Sequence, residues 1–212
     1  MGAIDRVCRV ENKLTLLVQT SAFGPLDYLV WPGAVLFGWE GIVPSLVGTY
    51  FIGGTVSLYL ACLSLAVGQI VNRCGKVALQ RKRPAVPDNV SRAVTVRIPK
   101  PDEADGASFP SGDSMAASAV GAALALSGCG TCWWLLGFYT CFSRVYFWCH
   151  YVFDVLFGYA VGALSAVLVA RLSESGNRLE WWHVAVAILP FAVIMKTLKK
   201  LNSSRNSCSK DA

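Results

Sequence analysis

The chain has 212 residues, of which 54% are hydrophobic and only 15% charged, and its mean hydropathy is +0.49. Soluble domains carry about 25% charged residues, so an ordinary soluble domain is excluded, and the length suits one domain without a linker. Lys and Arg outnumber Asp and Glu by 19 to 13 but gather in a few polar stretches, which points to membrane topology and anionic lipid and away from nucleic acid. The eight cysteines do not form a disulfide framework, because Cys62, Cys141 and Cys149 fall inside apolar runs. Cys129 and Cys132 make one CxxC pair, but with no second pair and two histidines in the chain a zinc site is disfavoured. Neither metal nor cofactor is expected.

The N-terminus does not read as a signal peptide, since Asp5 and Glu11 interrupt it and the apolar run Leu14–Val18 is short. Arg6 stands where myristoylation wants Ser or Thr, and Cys208 lies one residue too far from the end for prenylation. Residues 14–23 read as a short interfacial helix within a polar N-terminal segment, 1–25. Residues 26–200 then form the membrane domain. A span needs about 20 mainly apolar residues, and six candidates follow: 26–47, 50–71, 110–127, 132–148, 151–171 and 182–198. Pro32, Glu40 and Pro44 break the first, which is therefore tilted, kinked or partly re-entrant. The third and fifth are rich in Ala, Gly and Ser, which lets helix backbones approach closely. Trp181 and Trp182 resemble an interfacial anchor, and His183 beside them reads as an interface residue. Residues 201–212, rich in Ser, Asn and Lys, read as a flexible tail. The fold class is thus an all-α, six-helix integral membrane bundle.

Six spans put both termini, the 72–109 loop and the 143–150 turn on one side of the bilayer. Of the 19 Lys and Arg, 17 lie there and only Arg171 and Arg178 lie opposite. Setting aside Lys76, Arg83 and Arg144 as candidate site residues still leaves 14 against 2, so the positive-inside rule makes this side cytoplasmic. The glycosylation-type triplets at Asn89 and Asn202 share that side and are expected to stay unmodified.

Three polar clusters sit at the edges of apolar stretches on this same side. In the first, Lys76 and Arg83 are seven residues apart, so a helix continuing from the second span presents both on one face until Pro84 stops it. Arg grips phosphate oxygens bidentately and Lys acts as a point charge, whereas Arg81 and Lys82 read as an ordinary basic flank. In the second, Phe109-Pro110-Ser111-Gly112-Asp113 opens an Ala-rich helix. Ser111 is a natural N-cap, Gly112 lets a ligand approach the backbone, and the helix N-terminus favours an anion. In the third, His150 and Asp154 are spaced i, i+4 and can hydrogen-bond on one helix face, fixing the imidazole tautomer. A histidine so held can be a nucleophile. Arg144, six residues earlier, adds a third cation, and ionisable residues entering a span default to a functional reading.

In order, spacing and placement, these clusters resemble the three signature motifs of the type 2 phosphatidic acid phosphatase superfamily, which shares its core with vanadium haloperoxidases. The resemblance runs from Lys76 to about Gly162 and is extended by Val155 and Gly158. The Lys-x6-Arg-Pro-Ala loop and small size are most similar to the polyisoprenoid diphosphate phosphatase branch. The resemblance implies that Lys76, Arg83, Ser111, Gly112 and Arg144 bind phosphate. It further implies that His150 attacks phosphorus to form a phosphohistidine, that Asp154 orients it, and that no metal is needed.

One position departs from the pattern. The second motif ends in His in the family, the general acid for the leaving group, and here that residue is Asp113. A carboxyl with a reference pKa near 3.9 is about three units short of protonation at neutral pH, each unit amounting to about 1.36 kcal/mol. Asp113 therefore implies either a substrate whose leaving group needs little protonation or a weakened or inactive enzyme. The expected activity is hydrolysis of an isoprenoid diphosphate or other lipid phosphate from the cytoplasmic side, in a membrane such as the endoplasmic reticulum. Phosphatidate-type monophosphatase and head-group transferase are the neighbouring readings. A catalytically silent membrane scaffold that binds lipid head groups or a partner is the rival from another class. The expected partners are the bilayer and the lipid substrate.

Overall fold

A computed structural model describes residues 3–20, 24–86, 92–100, 103 and 106–174. Among these residues the secondary structure is helical, with no strand. The helices are α1 (Ala3–Gln19), α2 (Gly24–Val35), α3 (Ile42–Leu79), α4 (Gly112–Leu124), α5 (Leu135–Tyr146) and α6 (Val152–Glu174). A π turn, Ala125–Cys129, and a 3-10 turn, Thr131–Trp134, join α4 to α5. The expected helix over 182–198 lies outside the described residues, as does the tail.

Small side chains decide the packing. α4 lies at the centre, against α3, α5 and α6. Every residue from Ser114 to Leu124 is buried, and five of them are alanines. Large apolar residues instead face outward: Val43, Val47, Phe51 and Val56 on α3, and Leu156, Leu164, Leu168 and Leu172 on α6. Helices that associate through small residues and turn Leu, Val and Phe outward suit a hydrocarbon surrounding, where burying apolar surface drives nothing and close packing does. α3 and α6 are long and apolar enough to cross a bilayer.

The chain differs from the sequence expectation in where the first two apolar stretches divide. The first is broken as expected, but at a turn over 36–41 that includes Glu40; Pro32 lies inside α2, which ends at Val35, and Pro44 in the first turn of α3. The second begins without a loop near 48–49, because α3 runs on to Gly54, whose left-handed φ of 70° and ψ of −165° interrupt the helix. Glycine reaches that conformation without steric cost. Around the break, Ile52 carbonyl and Ser57 Oγ lie against Cys129 at the C-terminal end of α4. Gly38 before the helix and Asn72 near its end lie beside Asp113 and Gly112 at the opposite end of α4. The chain therefore folds back at Gly54, and its arms 42–53 and 55–79 run in opposite senses along α4.

α1 extends over 3–19, well beyond the short helix expected at 14–23. It packs against α5 and α6 through one face, on which Glu11, Thr15 and Gln19 are buried.

Candidate active site

The site forms where the C-terminal end of α3, the N-terminal end of α4 and the corner between α5 and α6 converge. Lys76 is in the last turn of α3, 6% exposed, and its Nζ donates to the Ala107 carbonyl at 2.7 Å. The helix ends at Leu79 and Gln80 takes a left-handed C-cap (φ 42°). Arg83 is consequently not on the helix face expected from its spacing. It lies in the irregular segment after the helix, directly before Pro84. Arg83 still joins Lys76, donating Nε to the Gly106 carbonyl (3.2 Å) and Nη1 to the Cys149 carbonyl (2.7 Å).

Ser111 caps α4 as expected, its Oγ accepting the Ser114 amide at 3.3 Å, while its own amide donates to the Asp154 carbonyl at 3.0 Å. Gly112 packs so closely on Asn72 that a Cβ there would lie 2.8 Å from the amide nitrogen, Nδ2. Arg144, in the last turn of α5, is buried and donates Nη1 to the Ala34 carbonyl at 2.8 Å and to Asp113 Oδ2 at 2.8 Å. Its Nε is buried without an acceptor among the described residues. Asp113 is thus a paired carboxylate, an acceptor with no proton to give while the pair stands.

After α5, Trp148 takes a left-handed backbone (φ 56°), and the corner carries His150 back towards Arg83. Trp148 and Gln80, the non-glycine residues of positive φ among those described, sit on the two loops that build the site, where strained backbone tends to concentrate. His150 lies before α6, so it shares no helix face with Asp154. Its Nδ1 is 2.7 Å from the Ser108 carbonyl and 3.9 Å from Asp154 Oδ2. Arg83 Nη1 lies 3.1 Å from Nε2. A carbonyl only accepts and a guanidinium only donates, so the proton is on Nδ1 and the lone pair on Nε2. Burial, with the charges of Arg83, Arg144 and Lys76, lowers the imidazole pKa to about 3 against the opposing pull of Asp154. The ring is neutral at physiological pH.

Asp154 accepts from Ser108 Oγ, from the Tyr151 amide (3.0 Å, Oδ2) and from Arg81 Nη1 (2.7 Å, Oδ1). Arg81 is therefore no ordinary flank. It also grips Glu11 through Nη1 (3.0 Å) and Nη2 (2.8 Å) and lies 4.0 Å over the Tyr151 ring. Burial opposes its charge, but the Glu11 and Asp154 carboxylates prevail and raise its pKa. The sequence reading missed Arg81, Ser108, Glu11 and Asn72. Arg81 and Ser108 adjoin motif residues, which is the only local signal they carry. Glu11 lies 65 residues before Lys76 and carries none.

Known structures share this architecture. The chain is similar to the crystal structure of Aquifex aeolicus LpxE, with a TM-score of 0.61 and 21% identity over 75% of this chain and 93% of that one. It is equally similar to the transmembrane PAP2 type phosphatidylglycerolphosphate phosphatase from Bacillus subtilis, with a TM-score of 0.61 and 22% identity over 82% of this chain and 90% of that one. No curated protein sequence matches. The sequence model of the PAP2 superfamily matches residues 57–178, which is more than half of the chain and includes all three clusters, and the chain therefore belongs to the PAP2 (type 2 phosphatidic acid phosphatase) superfamily.

Proposed function

We propose that the protein is an integral membrane lipid phosphatase that cleaves an isoprenoid diphosphate or related lipid phosphate through a phosphohistidine at His150. One observation carries the reading: a neutral imidazole, its Nδ1–H on the Ser108 carbonyl, aims the Nε2 lone pair at Arg83 among Lys76, Arg83 and Arg144. In the reaction, the lipid phosphate draws the guanidinium of Arg83 onto its own oxygens and frees Nε2 to attack phosphorus. Lys76 and Arg144 neutralise the oxygens, with the buried Nε of Arg144 gaining an acceptor, and the amides at Gly112 add the positive end of α4. Ser111 holds that end in place. Asp154 keeps Ser108, and so the imidazole, in position. Water then cleaves the P–N bond. The lipid tail stays in the bilayer, and the basic side of the protein, with both termini, faces the cytoplasm, as in the endoplasmic reticulum. The likeness to LpxE and to a phosphatase of phosphatidylglycerolphosphate, a lipid phosphate, supports this class of substrate.

The Arg144–Asp113 pair favours a diphosphate. A monoester expels an alkoxide, a strong base that needs a proton, and a carboxylate bound to Arg144 has none to offer. A diphosphate expels a phosphate whose last pKa is near 6, roughly as in phosphoserine, and it leaves with little help. The same pair favours a second reading, a silent scaffold, because it occupies one of the three cations.

A panel of lipid monophosphates and diphosphates on the purified protein tests both. We expect a higher kcat/KM for an isoprenyl diphosphate than for its monophosphate, and loss of turnover by orders of magnitude in His150→Ala with membrane insertion intact. Asp113→His should raise the monophosphate rate more than the diphosphate rate. Turnover surviving in His150→Ala would sink the mechanism, and equal rates on both lipids unaltered by Asp113→Asn would sink the role given to Asp113. Wild-type protein silent across the panel would leave the scaffold.

A further inference from the structure

The chemistry above leaves one buried ionic cluster unused. Glu11 is 3% exposed although its helix turns Val10, Leu14 and Leu17 outward. A buried carboxylate is costly unless it is paired and hydrogen-bonded, and Glu11 is both. Besides its two bonds to Arg81, Oε1 accepts the Phe153 amide at 3.2 Å. One helical turn later, Thr15 Oγ1 accepts the Val152 amide at 3.3 Å. Val152 and Phe153 open α6, where backbone amides have no partner within the helix. α1 therefore caps from outside the helix that carries Asp154.

From this cap, bonds run without a gap to the imidazole. Glu11 holds Arg81, Arg81 Nη1 holds Asp154 Oδ1, Asp154 Oδ2 holds Ser108 Oγ, and the Ser108 carbonyl holds His150 Nδ1. The Ser108 amide in turn donates to the Arg81 carbonyl at 2.7 Å, so the same two loops are joined through backbone as well. Of the cations that grip phosphate in the reading above, Arg83 touches this series at its far end, the imidazole Nε2, and Lys76 and Arg144 form none of the bonds just named. Resting on His150 as the nucleophile, we propose that Glu11 is a positioning residue for phosphoryl transfer. Through Arg81 and the start of α6, the N-terminal helix sets the orientation of the His150 ring.

A positioning residue and a mere anchor of the fold differ in what they disturb. Loss of orientation lowers kcat and leaves KM, because the phosphate-gripping cations are untouched; loss of an anchor lowers the amount of folded protein. The experiment uses the full chain in detergent micelles with farnesyl diphosphate and dioleoyl phosphatidate as probes, with kcat, KM and Tm read for each variant. Glu11→Gln keeps the side-chain size and an acceptor for Phe153, and is expected to lose about tenfold in kcat, about 1.4 kcal/mol, with KM within about twofold. Arg81→Lys should do the same and carries the test alone if Glu11→Gln does not fold. The double variant should be no slower than the worse single one, since residues acting through one network are not additive. Exposed Lys82, changed to Gln, should leave kcat unchanged. Wild-type kcat in Glu11→Gln and Arg81→Lys, a loss no greater than the unfolded fraction, or additive losses would overturn the role of Glu11 while the phosphatase reading stands. Wild-type protein silent on both lipids would overturn the two together.

Discussion

His150 titrates unlike a surface histidine, and its surroundings give that a direction in pH. Burial and three cations lower its pKa from the usual 6.5 to about 3. The unfolded chain therefore takes up a proton near pH 6.5 that the folded chain refuses until about pH 3. The sign follows: this residue costs nothing above pH 6.5, and the folded state loses stability steadily as pH falls from 6.5 towards 3. At pH 5 the loss from His150 is about 2 kcal/mol, from about 1.36 kcal/mol per unit. Thermal unfolding in detergent at pH 7.5 and pH 5 should thus show His150→Ala gaining on the wild type as the medium is acidified. A Tm difference that does not change with pH would mean that the folded protein takes up this proton as readily as the unfolded chain, and that burial and the cations do not govern the ring. The hold of the Ser108 carbonyl on this ring was out of reach of sequence reasoning. The spacing of His150 and Asp154 foretold a helical pair, but the helix starts after the histidine and a backbone carbonyl takes the place given to the carboxylate.

Among the helices, the contact between α4 and α6 depends on the absence of side chains. A Cβ on Gly158 would strike the Ser111 carbonyl, and one on Gly162 would strike the Met115 carbonyl and Ser118 Oγ. Backbone cannot step aside as a flexible side chain can, so α6 would have to move off α4 and take Asp154 with it. Gly162→Ala should cost about 1–3 kcal/mol, the usual cost of overpacking, and lower Tm by several degrees. Gly48, also in a helix, has nothing within 4 Å of such a Cβ. Gly48→Ala should therefore be neutral or stabilising, since Ala is the better helix former by about 1 kcal/mol. Equal Tm values for the two variants would mean that α4 and α6 are not closely packed. The small-residue runs that announced this contact were visible in the sequence. Which glycine meets which carbonyl was not, because rotation of one helix about its axis alters the pairing without altering the pattern.

For the whole molecule, the site lies at one end of the bundle, where α3 ends and α4 and α6 begin. The proposed cytoplasmic orientation, drawn from the 14-to-2 excess of Lys and Arg in the sequence, applies to the 72–109 loop and can be tested there. In sealed microsomes a cysteine introduced into this loop should react with an impermeant reagent without permeabilisation, and Asn89 should carry no sugar. Glycosylated Asn89 would reverse the orientation and place the site in the lumen.

The sequence by itself determined the class, and it named the candidate site residues that the structure brings close together. Hydropathy is a sum over a window, and capping is a matter of a few neighbouring residues, so the helical membrane fold and the N-cap at Ser111 follow from local chemistry. Lys76, Arg83 and Arg144 were legible as candidates because their motifs are short and lie in or just beyond the last turn of a helix. Only the tertiary structure decided the reversal at Gly54, the pairing of Asp113 with Arg144, the hold of Ser108 on His150 and the buried grip of Glu11 on Arg81. Each of these joins residues through the angle of a turn or the rotation of a helix, and neither is set by the residues that it brings together.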